Sequence, residues 1–134
     1  MGKHKSHQTG LDADVGYYFE NKNLQKAFAS AVVIDKPHSD WMVGKQWGLY
    51  KKLVKTQLVD RIFIHKTLKK ALCQLAIKNK EIEKSDTKGE TYETLRRLIG
   101  DVDHNTHFHL RLKCSKAQIR CRPLPEPAKG TGCF

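Results

Sequence analysis

The chain has 134 residues, of which 39% are hydrophobic and 29% charged, a composition typical of one folded domain and not of a fibre or a disordered tail. It contains no apolar run near the roughly 18 residues that a membrane-spanning helix requires, and its first residues, MGKHKSHQ, are too polar for a secretory signal. We therefore expect a single domain over residues 1–134, with no membrane span and with any export signal outside this sequence.

The chain is strongly basic, with 25 Lys and Arg against 14 Asp and Glu and a formal net charge of +11. Such an excess favours a polyanionic partner, which includes nucleic acid, an anionic surface and a carboxylate-rich polymer. The charge alone does not choose among these partners. A solvated face that keeps the protein in solution explains it equally well.

The first half of the chain predicts one strand and one helix. Residues 11–19 alternate apolar and other side chains, which predicts a half-buried strand with Asp12 and Asp14 on the opposite face. Residues 20–37 have a poor pattern and are interpreted as a loop with a possible short helix. Apolar residues then recur at three- and four-residue spacing over residues 45–56, which predicts a helix with a core-facing stripe.

The second half begins with a predicted strand over residues 59–65 and a predicted helix over residues 66–78. Residues 78–90 are almost wholly polar and predict an exposed connection. A further helix is predicted over residues 91–99, ending at Gly100, as helices often end at glycine.

The last predicted element is a strand over residues 106–114, where apolar and polar side chains alternate without a break. Its two faces carry Phe108, Leu110 and Leu112 on one side and His107, His109 and Arg111 on the other. His65, at the end of the preceding strand, is expected at the surface. These elements predict an α+β fold in which helices flank a small antiparallel sheet.

The four cysteines are Cys73, Cys114, Cys121 and Cys133, and three of them lie in the last 21 residues, a segment rich in proline and glycine. Because such a tail packs poorly, we expect disulfides and an oxidising compartment, with Cys114 bonded to Cys121 in a small loop and Cys73 to Cys133 by elimination. The alternative is four reduced thiols in a cytosolic protein. A four-cysteine zinc site is disfavoured because no pair has the two-to-four-residue spacing of structural zinc.

Histidines cluster in two short segments that hold five of the seven in the chain: His4, His7, His104, His107 and His109. His107 and His109 are two residues apart on a predicted strand, so both imidazoles leave the same face. Together with Asp12 and Asp14 they provide imidazole and carboxylate donors, and two histidines plus one carboxylate form a catalytic zinc set that leaves a position for water. The alternative interpretation is an expression tag or unrelated surface residues.

Two motifs resemble the penicillin-insensitive murein endopeptidases, part of a wider metallopeptidase group with lysostaphin-type and D-alanyl-D-alanine-cleaving enzymes. The motifs lie in SHQTGLDAD at residues 6–14 and DHNTHFHLRLKC at residues 103–114. The family patterns are His, six residues, Asp, and His-x-His. They are matched by His7 with Asp14 and by His107 with His109. The resemblance covers nearly the whole chain, although family members usually carry a substantial segment before the first motif.

The resemblance implies roles for particular residues. It implies a Zn²⁺ ion held by His7, Asp14 and His109. His107 matches the unligated histidine that assists catalysis, and His104 matches another active-site histidine. Three further positions resemble ones that contact additional metal in the family, namely His4, Asp35 and His38. Three protein ligands leave zinc a water whose pKa falls from about 15.7 toward about 7, and His107 is then expected to accept its proton.

The resemblance also implies the substrate, which is the peptide cross-link of peptidoglycan cleaved between D-alanine and meso-diaminopimelic acid, in the periplasm or outside the cell. A zinc D,D-carboxypeptidase is an alternative with nearly the same residues. A basic nucleic-acid-binding protein is the alternative from another class. We expect no nucleic-acid partner, because the aromatic residues are not interleaved with basic ones in a recognised binding motif. The sequence does not indicate an oligomeric state.

Overall fold

A computed structural model describes residues 11–115 and 121–134. Its elements, in chain order, are β1 (Asp12–Gly16), α1 (Lys22–Lys26), β2 (Val32–Val33), β3 (Lys36–Pro37), α2 (Val43–Lys55), β4 (Val59–His65), α3 (Lys66–Lys78), α4 (Glu90–Arg97), β5 (Leu98–Asp101) and β6 (His107–Leu112). The predicted strand at β4 and the predicted helices at α2 and α3 are confirmed. No helix in this described part of the chain is long and apolar enough to cross a membrane.

The main sheet has four strands in the order β1-β6-β4-β5. β6 runs antiparallel to both of its neighbours, β1 and β4, whereas β4 and β5 are parallel. A separate hairpin, β2 with β3, occupies the region interpreted as a loop. The α+β class is therefore confirmed, and the sheet is mixed because it includes one parallel pair.

One face of the main sheet packs against the helices and forms the core. Ile62, Ile64 and Phe108 from the sheet are buried in the same cluster as Tyr50 of α2 and Leu72 of α3. The rings of Tyr50 and Phe108 meet edge to face at 5.2 Å between centroids. Burial of each large apolar side chain contributes about 1.5–3 kcal/mol, so this face provides much of the stability of the fold.

The helix predicted over residues 91–99 is wrong at its C-terminal end. α4 stops at Arg97, and Leu98 begins β5, where it is paired with Ile62 of β4. Gly100 therefore lies in a strand, where a Cβ atom would approach the Lys66 Cα to 3.1 Å. The parallel pairing of β5 with β4 is a tertiary interaction that the local helical pattern does not encode.

The opposite face of the sheet is polar and is enclosed at part of β6, which the simple alternation does not predict. On β6, His109 and Arg111 are only 3% and 4% exposed. The C-terminal segment lies against this face, where Arg61 donates to the Pro125 carbonyl and Arg111 donates to the Arg122 carbonyl at 2.7 Å. The two expected disulfides, Cys73–Cys133 and Cys114–Cys121, are present and tie this tail to the fold.

Two further expectations require correction. The alternating segment at residues 11–19 is a strand only over Asp12–Gly16, and Ala13 and Val15 are exposed because β1 is an edge of the sheet. His65 is buried, not at the surface. Its Nδ1 accepts a hydrogen bond from the Thr67 N–H at 3.0 Å, so it is the N-cap of α3.

Candidate active site

Asp14, His107 and His109 meet where β1 pairs with β6. Asp14 is directly opposite His109 in the antiparallel ladder. One carboxylate oxygen, Asp14 Oδ1, lies 3.4 Å from His109 Nδ1 and 3.7 Å from His107 Nε2. The spacing of two puts both imidazoles on one face of the strand, as the sequence predicts, and the pairing with β1 brings Asp14 beside them.

These three side chains differ in their access to solvent. Asp14 and His107 are 38% and 30% exposed, whereas the His109 side chain is only 4% exposed. Phe63 of β4, which is paired with His109, presents its ring edge-on at 5.5 Å between centroids and helps to enclose that imidazole. The site therefore has one buried imidazole next to an accessible imidazole and carboxylate.

Asp12 holds the inner edge of His109. Its Oδ1 lies 2.5 Å from His109 Nε2, and the Asp12 side chain is 0% exposed. Because an ionised carboxylate only accepts hydrogen bonds, this contact favours the neutral tautomer of His109 that has the proton on Nε2 and the lone pair on Nδ1. The lone pair is thus on the Asp14 side of the ring.

A third histidine, His104, lies next to the other two. Its Nδ1 is 2.7 Å from Asp101 Oδ2, and Asp101 Oδ1 accepts from the backbone N–H of His104 at 3.2 Å. The ring stacks on Phe63 at 5.8 Å and lies 5.4 Å from the ring of His107 and 6.1 Å from that of His109. The His-x-x-His-x-His segment therefore forms a cluster of three imidazoles.

Tyr17 ties the backbone around this cluster together. Its hydroxyl donates to the His104 carbonyl at 2.7 Å and accepts from the His65 N–H at 3.4 Å. Burial raises the pKa of Tyr17 far above its usual value of 10.0, so the phenol stays protonated and keeps donating. Tyr17 follows β1 directly, and it therefore links β1 to the loop before β6 and to the start of α3.

The separation between two of these donors, Asp14 and His109, fits a zinc ion. Two ligands that each lie about 2.0–2.2 Å from a tetrahedral zinc are about 3.3–3.6 Å apart, and Asp14 Oδ1 and His109 Nδ1 are separated by 3.4 Å. Within residues 11–115 and 121–134, no three His, Cys, Asp or Glu side chains form a group that could hold a metal. The third ligand implied by the resemblance, His7, lies outside the described residues.

Two of the three positions implied for additional metal, Asp35 and His38, lie at the β2–β3 hairpin. His4 falls outside the described residues, and Asp35 is exposed in the turn of the β2–β3 hairpin. His38 follows that hairpin, with its Nδ1 accepting from the Asp40 N–H at 2.9 Å. It lines a largely apolar cavity of about 360 Å³ between the hairpin, α2 and α3, whose lining includes none of Asp14, His107 and His109.

Two residues of the site carried no functional prediction. Asp101 orients His104, and Arg111 binds Asp12 Oδ2 at 3.1 Å. The signals were present in the sequence, since Asp101 precedes His104 by three residues and Arg111 shares the strand face of His109. Neither was decisive, because acidic and basic residues at such spacings are common on surfaces.

A cluster of imidazoles beside an accessible carboxylate is a group of side chains suited to hydrolysis. A model of the family described as penicillin-insensitive murein endopeptidase matches residues 1–134. Penicillin-insensitive murein endopeptidases of Salmonella arizonae, Salmonella paratyphi B and Salmonella newport are each 28% identical over 140 residues, covering 98% of this chain and 47% of theirs. The chain belongs to the penicillin-insensitive murein endopeptidase family, and it spans about half the length of these curated relatives.

Proposed function

We propose that this chain is a zinc-dependent peptidoglycan endopeptidase that hydrolyses the D-alanyl-meso-diaminopimelyl cross-links of murein, in the periplasm or outside the cell. The family supports the endopeptidase class and murein as the substrate. The two disulfides and the net charge of +11 agree with an oxidising compartment and a carboxylate-rich polymer.

The observation that carries the proposal is the position of Asp14 Oδ1, 3.4 Å from His109 Nδ1 and 3.7 Å from His107 Nε2. We assign His109 and Asp14 as zinc ligands with His7 as the third. His109 is favoured over His107 because its Nε2 lies against the Asp12 carboxylate, a contact that metal-binding histidines commonly make through the nitrogen that does not bind the metal. When bound, zinc would supply Lewis-acid polarisation of the scissile carbonyl and a more acidic water.

His107 is assigned to proton transfer. Its ring is accessible to solvent, and Thr106 Oγ1 lies 3.0 Å from Nδ1, so Nε2 is the nitrogen on the side of Asp14. In this position Nε2 can take a proton from the attacking water and return it to the leaving amine. The leaving group in a cross-link is the amine of diaminopimelate, which requires protonation before it departs.

His104 is assigned to the stabilisation of negative charge that develops on the substrate. Asp101 Oδ2 accepts a hydrogen bond from Nδ1, which fixes the orientation of the ring beside His107. When the ring also carries a proton on Nε2, it can donate from that nitrogen to a developing oxyanion without reorganising. Asp101 is thus a positioning residue for His104.

A secondary part of the proposal is that additional metal is bound by His4, Asp35 and His38. The test is metal analysis of the purified chain and of a variant in which Asp35 and His38 are both alanine. A second metal equivalent that is lost only in the variant supports these roles. One equivalent in both proteins rejects them.

Digestion of purified cross-linked muropeptides, before and after chelation, tests the main proposal. An endopeptidase converts dimers to monomers, and the conversion should stop on chelation and return with added zinc. Release of D-alanine with the dimers intact would instead identify a D,D-carboxypeptidase. Conversion that is unchanged by a chelator would reject zinc dependence.

A further inference from the structure

The Asp12 carboxylate is fully enclosed and is shared between two donors. Oδ1 accepts from His109 Nε2 at 2.5 Å, and Oδ2 accepts from Arg111 Nη1 at 3.1 Å. A buried carboxylate is costly unless it is paired and hydrogen-bonded. Each oxygen of Asp12 therefore has a hydrogen-bond partner, as a buried carboxylate requires.

Arg111 connects this carboxylate to the C-terminal tail. Its side chain is only 5% exposed, and its second terminal nitrogen, Nη2, donates to the Arg122 carbonyl at 2.7 Å. Arg122 directly follows Cys121, which is bonded to Cys114 just beyond β6. A continuous set of hydrogen bonds thus runs from the disulfide-anchored tail through Arg111 and Asp12 to His109.

This set of contacts determines which nitrogen of His109 faces Asp14. The planar guanidinium fixes the carboxylate, the carboxylate holds the proton on Nε2, and Nδ1 then has the lone pair 3.4 Å from Asp14 Oδ1. The opposite tautomer would place an N–H on the metal side of the ring. Such a ring would have to lose that proton before it could bind a metal ion.

We propose that Asp12 is a positioning residue that fixes the tautomer of His109 for metal binding, and that Arg111, held by the tail, positions Asp12. The inference rests on the proposed zinc site. The C-terminal tail, through the Arg122 carbonyl, then helps to support that site in addition to stabilising the fold.

Asp12→Asn is the primary variant. The amide replaces one of the two carboxylate oxygens by an NH₂ group, which donates, so the side chain no longer accepts from Arg111 and His109 at both positions. The matched control is Asp60→Asn. Asp60 is also a largely buried carboxylate, 3.9 Å from Arg111 Nε, but it pairs with Arg61 and, within the described part of the chain, with no histidine.

The first measurement is the tautomer of His109 in the metal-free protein, from the ¹⁵N chemical shifts of its ring. We expect the Nε2-protonated form in the wild type and in D60N, and a mixture or the opposite form in D12N. This measurement needs no zinc. It therefore remains informative if the proposed function is wrong, and the wild-type spectrum alone contradicts the inference if it shows Nδ1 protonated.

The second measurement is zinc affinity by competition with a chromophoric chelator. Loss of a residue that supports a metal ligand typically costs about 10- to 100-fold in affinity, so we expect that weakening in D12N and wild-type affinity in D60N. Arg111→Lys keeps the charge but loses the two-nitrogen fork, and it should weaken zinc binding by a smaller factor. Thermal unfolding of the metal-free variants checks that each one folds.

The outcomes separate the inference from the proposed function. A D12N protein that is folded, with the wild-type tautomer and wild-type zinc affinity, overturns the inference, as does equal weakening in D60N. If D12N does not fold, Arg111→Lys and the wild-type tautomer decide. A wild-type protein that binds no zinc, or whose affinity is unchanged by His109→Ala, rejects the zinc site itself.

Discussion

Asp14 and His109 are a directly opposed pair in the β1–β6 ladder, with Oδ1 of the first 3.4 Å from Nδ1 of the second. The backbone register fixes this pairing. A side-chain change at either residue therefore removes one proposed metal-binding atom and leaves the hydrogen bonds of the ladder in place. The two residues differ in burial, with 38% of Asp14 and 4% of His109 exposed. Asp14 can therefore be replaced with less disturbance of the packing.

Loss of a residue that only supports a ligand costs up to about 100-fold in metal affinity. Because Asp14→Ala and His109→Ala each remove a proposed ligand, we expect each to weaken zinc binding by more than about 100-fold. The measurement is zinc content after gel filtration, together with chelator competition. Asp86→Ala is the control, because Asp86 lies in the exposed connection before α4, where its carboxylate accepts from the Glu83 N–H. Wild-type zinc affinity in the folded Asp14→Ala protein would contradict the ligand assignment.

His107→Ala should lower kcat by about 10²- to 10⁴-fold, the range for loss of a general acid–base group, while zinc stays bound. The rate is measured as conversion of muropeptide dimers to monomers, and zinc content is measured on the same preparation. Retention of zinc is the decisive control. Loss of zinc in this variant would instead identify His107 as a ligand. The control is needed because His107 Nε2 lies only 3.7 Å from Asp14 Oδ1.

Asp101 and His104 should behave as one unit. Removal of a donor to an oxyanion commonly costs about 10²- to 10³-fold in kcat, so we expect that loss in His104→Ala and a smaller one in Asp101→Asn. Because Asp101 acts through the His104 ring, the double variant should be no slower than His104→Ala alone. Losses that multiply in the double variant would show that Asp101 has a separate role.

The sequence predicted the elements whose pattern is local. The limits of β4 and α3 are as predicted, because their apolar residues follow a strand or helix period within one segment. β5 was missed, since Leu98 and Ile99 continue a helical pattern and become a strand only through parallel pairing with β4. Local periodicity has no information about such a partner.

In the candidate site, too, the sequence predicted the features that depend on local spacing and missed those that depend on tertiary contacts. The spacing of His107 and His109 predicted a shared face, and the ladder places both beside Asp14. The enclosure of His109 was not predictable, because it depends on Phe63 of β4 and on Asp12, which is 97 residues away in the chain. The roles of all these residues in metal binding and catalysis stay predictions until the variants are measured.

The two disulfides should contribute unequally to stability. Cys73–Cys133 spans 60 residues and Cys114–Cys121 spans 7. In the chain-entropy model these loops correspond to about 4 and about 2 kcal/mol, so replacing the first pair by alanine should lower the free energy of unfolding by more. Urea unfolding of both double variants measures the difference. Equal losses would mean that strain or residual structure, not loop length, determines the contribution.

Lys69, in the first turns of α3, is a half-buried amine next to the tail. A Cβ at Gly132 would lie 2.7 Å from its Nζ, which shows how closely the two approach. Burial lowers the pKa of Lys69 from its usual 10.5 to about 8. The folded state therefore holds a protonated amine at neutral pH at a cost in stability.

Lys69→Met should consequently stabilise the protein at pH 7, where the wild-type amine is protonated in both the folded and the unfolded state. Between pH 8 and 10.5 the unfolded chain binds more protons at this position than the folded one, so wild-type stability rises with pH across that window. The advantage of the methionine should shrink over the same interval. Urea unfolding at pH 7 and pH 10 measures it, with Lys70→Met as the control, because Lys70 is exposed. An advantage of Lys69→Met that is constant with pH would show that Lys69 titrates normally and that the gain comes from packing alone.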